Sequence, residues 1–140
     1  MMSKRMPFLL IIGVLALLVT GCASGDDTVE VSLGQEFSLA IGERVSVSGE
    51  DLEIEFLEVL EDSRCPRDAM CVWEGRVRCL VEISDGGSSE QKELVAPGLT
   101  DEYSVETYGN YQITFRVEPY PEVDQQIREN EYRLLLIIGK

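Results

Sequence analysis

The chain predicts an all-β domain built as a single antiparallel β-sandwich. Three observations predict it. Apolar and polar residues alternate with a period of two through runs of four to nine residues. Clusters of Gly, Pro, Asn and Asp separate those runs. Beyond the N-terminal apolar stretch there is no sustained helical period, internal repeat or low-complexity tract. Short strands with regular turns make either a sandwich or a small closed barrel. The strands differ in length and the last is apolar on both faces, which favours the sandwich.

The elements follow in order. Val29–Leu33 and Glu36–Ile41 flank Gly34-Gln35, and Arg44–Ser48 runs into the turn Gly49-Glu50-Asp51. Leu52–Leu60 alternates at first, with Leu52, Ile54 and Phe56 inward and Glu53 and Glu55 outward. Leu57 and Val59 then break the phase, which predicts a β-bulge near Phe56-Leu57. Residues 61–75 form an irregular loop. Arg76–Ser84 and Gln91–Val95 bracket Asp85-Gly86-Gly87, and Glu102–Thr107 and Tyr111–Glu118 bracket Gly109-Asn110, two hairpin signals. Pro119-Tyr120-Pro121 ends a strand, because proline cannot donate to a ladder. Pro121–Asn130 is a polar loop with room for one helical turn. Glu131–Ile138 contains Leu134-Leu135-Leu136-Ile137-Ile138, as expected of a central, buried strand.

Residues 1–21 have the order of a secretory signal peptide. Lys4 and Arg5 give a positive start, Phe8 through Val19 are nearly all apolar, and the small Gly21 precedes Cys22. The apolar run falls short of the ~20 residues a helix needs to span a bilayer. The ending Leu18-Val19-Thr20-Gly21-Cys22 resembles the lipobox of bacterial lipoproteins, with Val19 where leucine is most frequent. The resemblance implies cleavage before Cys22, a diacylglycerol on its thiol and an acyl group on the new amine. An ordinary cleaved signal in which Cys22 is incidental is the other reading. Residues 22–28 then form a short polar tether, and residues 29–140 the domain.

Removal of residues 1–21 leaves 119 residues, enough for one domain with a core. It also removes two of 12 bases and none of 26 acids, so the remaining body carries a formal charge of −16. Such a body repels nucleic acid phosphate and anionic lipid surfaces. Its route to a membrane is therefore the lipid at Cys22, where two or more acyl chains hold firmly and one does not. The domain is expected in the bacterial cell envelope. By resemblance to the sorting rule for such proteins, Ala23 in place of aspartate favours the outer membrane where a host has two.

With Cys22 lipidated, three cysteines remain. Cys65 and Cys71 flank a short Pro66-containing loop and make the natural disulfide in an oxidising compartment. Cys79 lies on the apolar face of an alternating strand, where a free thiol acts as a small hydrophobe. A Cys71–Cys79 bridge is the alternative; it would tie a strand to its own approach loop.

Residues 62–75 hold the densest cluster of unusual residues: the only tryptophan, the presumed disulfide and two arginines. Asp62-Ser63-Arg64-Cys65-Pro66, then Cys71-Val72-Trp73-Glu74-Gly75, then Pro119-Tyr120-Pro121, resemble the pattern of a domain found in uncharacterised bacterial envelope proteins. The resemblance covers roughly residues 33–138 and implies no activity. Physically, the cluster reads first as structure. Asp62 and Ser63 can bond turn amides, Arg64 can fork to Glu74 or Asp62, Trp73 can lie on the disulfide or the sandwich end, and Gly75 relieves the backbone where loop becomes strand. The functional reading is that the stapled loop presents Arg64, Arg67 and Trp73 to an envelope protein partner, since Arg and Trp are enriched in binding hot spots.

The chain has no histidine, which excludes Ser-His-Asp and Cys-His catalysis and His-ligated zinc. No Cys-x-x-Cys is present. No cofactor or metal site is expected, although a weak calcium site at Asp26-Asp27 or Glu61-Asp62 would be compatible with the acids there. Glu53, Glu55, Glu58, Glu61 and Asp62 read as a solvated strand face, with a carboxylate-pair hydrolase as the remote catalytic reading. The leading expectation is a membrane-anchored, non-enzymatic interaction or structural module. The alternative is a small-ligand or divalent-cation binding protein.

Overall fold

A computed structural model describes residues 28–140. Cys22, the signal segment and Asp26-Asp27 lie outside the described residues. Nine strands form two sheets: β1 Val29–Val31, β2 Glu36–Ala40, β3 Arg44–Val47, β4 Leu52–Asp62, β5 Arg76–Asp85, β6 Ser88–Pro97, β7 Ser104–Tyr108, β8 Tyr111–Glu118 and β9 Arg133–Gly139. One sheet has the order β1-β3-β4-β5-β6 and the other β2-β9-β8-β7. The sheets do not close into a barrel, so the fold is the expected β-sandwich. The single 3₁₀ turn among the described residues, Glu129–Glu131, falls in the polar loop that left room for one.

The strand pattern explains the layers. In β4, Leu52, Ile54 and Phe56 are buried, and the register shifts between Phe56 and Glu58, where the phase break in the sequence calls for a bulge. A second shift lies between Val59 and Glu61. In β5, Val77, Cys79, Val81 and Ile83 point inward. They meet Ile113, Phe115 and Val117 of β8 and Leu134, Leu136 and Ile138 of β9 in one core. β9 lies between β2 and β8, and Leu135 on its other face is also buried, as the two-sided apolar run requires. Gly86-Gly87 closes the β5–β6 hairpin with both residues at positive φ. Gly109 does so at the first turn position of the β7–β8 hairpin.

One feature departs from the expectation. The sandwich is not wholly antiparallel, because β1 pairs with β3 in parallel. The turn at Gly34-Gln35 does not join paired strands: β1 and β2 belong to different sheets, so the chain crosses the sandwich there. Gly34 N–H donates across to the Ile138 carbonyl, 2.8 Å away. Cys79 is a free, fully buried thiol, pushed up to about 12 chiefly by burial. The Cys65–Cys71 disulfide spans Cα atoms 5.9 Å apart.

The register sorts the loops into two ends. The loops 63–75, 98–103 and 119–132 gather at one end. The turns after β1, β3, β5 and β7 and the C-terminal residue lie at the other. Lys140 and Tyr111 both bond Glu50 at 2.7 Å and close that second end.

Candidate functional site

The loop cluster at the first end is organised by Arg64. Arg64 is only 6% exposed, the most deeply buried charged residue among the described residues. Burial is offset by the hydrogen bonds of the fork. Nε and Nη2 donate to the two Asp62 carboxylate oxygens at 2.8 and 2.7 Å. Nη1 donates to the Val117 carbonyl at 2.8 Å and Nη2 also to the Pro119 carbonyl at 3.0 Å. Asp62 takes a further bond from the Tyr132 hydroxyl, at 3.0 Å. One ion pair thus ties the end of β4 to the end of β8 and the start of β9. A planar guanidinium with donors on both edges is suited to this, and a lysine is not.

Tyr120 makes the second tie. Its ring lies 5.2 Å from the Arg64 guanidinium and 5.5 Å from that of Arg67. Its hydroxyl sits 2.9 Å from both the Cys65 and Gly98 carbonyls. Backbone bonds complete the docking: Cys65 N–H to the Gly98 carbonyl and Arg67 N–H to the Pro121 carbonyl, both 2.9 Å. Pro119 follows a cis peptide bond. The Asp-Ser-Arg-Cys-Pro segment and Pro119-Tyr120-Pro121, 53 residues or more apart in the chain, are therefore two halves of one junction. The loop itself is closed by the disulfide and by Ser63, whose Oγ accepts from the Arg76 amide at 3.1 Å.

This geometry corrects part of the sequence reading. Arg64 does not face a partner, because it is buried and four of its five N–H donors go to Asp62 and two carbonyls inside the protein. Asp62 is not on the solvated face: its side chain is buried against Arg64 and Tyr132. Of the two partners open to Arg64, it takes Asp62 and not Glu74. Trp73 does not cover the disulfide or the sandwich end. It is 62% exposed, between Val72 at 96% and Glu74, with Met70 beside them at 103%. Arg67 does lie at the surface, in an ion pair with Asp101 at 3.0 Å. Tyr132 and Gly98 were not legible as parts of the junction, since a lone tyrosine and a Pro-Gly step carry no pairing information.

Between Cys65–Cys71, Arg67 and Tyr120 on one side and Leu99, Thr100 and Asp101 on the other is a cleft of ≈ 340 Å³. A second, of ≈ 380 Å³, opens between the sheets beside Val29, Val31, Phe37 and Leu39; it is the place the small-ligand alternative would use. The candidate acids are engaged elsewhere: Glu61 by Arg76 at 3.0 Å and Arg78 at 3.4 Å, Asp62 by Arg64. Among the described residues no group of three or more His, Cys, Asp or Glu is placed to hold a metal ion. A search against protein-family models, curated proteins and solved structures finds no match.

Two tyrosines, Tyr132 at the junction and Tyr111 at the opposite end, make the fold sensitive to alkali. Burial first, and then the neighbouring Asp62 charge, push Tyr132 up to about 12. Tyr111 is pushed up to about 12 first by its bond to Glu50. A group whose folded pKa lies above its unfolded value of 10.0 stabilises the fold fully below that value. The contribution is lost as pH rises toward the folded one. Stability is therefore expected to fall between about pH 10 and about pH 12. Tyrosinate absorbance at 295 nm should rise together with loss of β-sheet circular dichroism. A smooth rise centred near pH 10 with the fold intact would contradict this.

Proposed function

We propose that this is an exported lipoprotein of the bacterial cell envelope, cut before Cys22 and held to a membrane by lipid on that residue. The sandwich is a non-catalytic interaction module whose contact surface is the stapled loop. One observation carries the reading: Met70, Val72 and Trp73 stand exposed on a loop that a disulfide, a buried ion pair and Tyr120 hold rigid. Large apolar side chains held out together on a fixed support mark contact surfaces. Rigidity lowers the ordering cost of contact. Arg67 stands at the rim beside Leu99, and Arg64 serves as the support beneath. The outer membrane is the favoured location where there are two.

A photo-crosslinking residue in place of Val72, activated in intact cells, tests the surface. The expected result is a discrete adduct that disappears in a Met70→Ser, Trp73→Ala background. Absence of any adduct, to protein or to lipid, with the protein folded and exported, would leave the loop purely structural. Mass spectrometry of the N-terminus tests the anchor, with diacylglyceryl Cys22 as the expected species.

A further inference from the structure

We infer that what the stapled loop touches is the bilayer itself: Met70, Val72 and Trp73 dip into the boundary layer of the membrane that carries the Cys22 lipid. The inference rests on the anchoring reading above and supplies its contact partner.

The first argument is geometric. β1 enters the sandwich in parallel with β3, and β3 runs against β4, so the N-terminal end of β1 points toward the end where the loops gather. Val29 lies level with Val45 and Ile54. From Ile54 to Asp62 the strand climbs about 25 Å at the usual rise of ~3.3 Å per residue, and the loop lies beyond. Cys22 to Thr28 reaches at most about 20 Å when fully extended. When the loop end faces the membrane, a lipid fixed at Cys22 is on too short a tether to hold that end clear. With that end turned to the bilayer, the loop arrives at lipid before the tether is fully drawn out.

The second argument is chemical. Among the described residues, Met70, Val72, Trp73, Leu99 and Val123 are large apolar side chains exposed on loops at this end, whereas Leu33 is the one on the turns of the opposite end. Tryptophan favours the membrane–water interface, where its ring meets acyl chain and its N–H meets water. The tip between the cysteines and Gly75 carries Arg67, Asp68 and Glu74, and Arg67 is paired with Asp101. No positive surplus is available to attract anionic headgroups, so insertion is apolar and suits a zwitterionic surface.

Because Trp73 is the only tryptophan, it reports on the loop directly. Full-length lipidated protein, purified from membranes and reconstituted into phosphatidylcholine vesicles, is compared with an unlipidated Cys22→Ser protein in buffer. The expected result is a blue shift of Trp73 emission in vesicles and loss of most of its intensity with lipids brominated high on the acyl chain. Met70→Ser, Val72→Ser should restore the emission seen in buffer; both side chains are fully exposed, so the fold should tolerate the change. Emission in vesicles equal to that in buffer, with diacylglyceryl Cys22 confirmed by mass, would overturn the inference and leave the anchor standing. A blue shift that needs added envelope protein would overturn it in favour of a protein partner. An unmodified Cys22 would sink the anchor, and this inference with it.

Discussion

Arg64→Ala is expected to lower stability by about 3–5 kcal/mol, the usual result of removing one partner of a buried ion pair. The loss has three parts. Asp62 would be left buried with only Tyr132 and its local amide as donors. The Val117 and Pro119 carbonyls would lose a charged donor. The Tyr120 ring would lose one of the two cations at its faces, keeping Arg67. Against a total stability of roughly 5–15 kcal/mol for a domain of this size, that approaches unfolding. Arg64→Lys should recover only part of the loss, since an ammonium is a point charge and cannot fork across both edges. Asp62→Ala should couple with it: the double variant should cost clearly less than the sum of the singles. Urea denaturation of the set decides. A loss under about 1 kcal/mol for Arg64→Ala, the scale of an exposed pair, would mean that the junction does not hold the loops.

Gly75→Ala is expected to cost about 3 kcal/mol or more, although it adds a single methyl group. Gly75 sits at φ +69°, where a side chain is strained, and an added Cβ would lie 1.9 Å from the Ser63 carbonyl oxygen and 2.7 Å from its carbon. Both neighbours are backbone and part of the close pairing between Ser63 and Arg76, so they cannot rotate away. Gly49→Ala is the control. Gly49 has φ +76° but nothing within 4 Å of an added Cβ, so only the conformational cost of about 1–2 kcal/mol remains. Equal midpoints for the two variants in urea would show that the close approach is not rigid. The loop carrying Trp73 should also loosen in Gly75→Ala, which limited proteolysis between Arg67 and Arg76 would reveal.

The sandwich was legible because its signals are local. Period-two alternation in β5 and β8, the phase break at Phe56-Leu57, and the glycine turns each act within a few residues, and each has its counterpart in the structure. The Cys65–Cys71 pair was legible for the same reason. The partition of β1 and β2 into different sheets was not, because it depends on which distant edge each strand finds. At the loop cluster, composition pointed to the right residues but not to their directions. Arginine is usually exposed and tryptophan usually covered. Here Arg64 is inside because Asp62, Val117 and Pro119 together satisfy it, and Trp73 is outside, which nothing in its sequence neighbourhood signals.

The depth of Cys79 bears on how the chain reaches its oxidised form. Three thiols outside the N-terminal segment can pair in three ways, and oxidants do not choose among them. The native strand order does. Cys79 lies in β5 between Val59 of β4 and Leu94 of β6 with its thiol in the core, so a bridge to Cys65 or Cys71 would draw it out and is expected to hinder the five-stranded sheet. Such a chain keeps its sulfurs open to exchange with free thiols. The Cys65–Cys71 form leaves the third thiol buried and out of reach, so folding is expected to select it over the mispaired forms. The sandwich would in this way proofread its own disulfide.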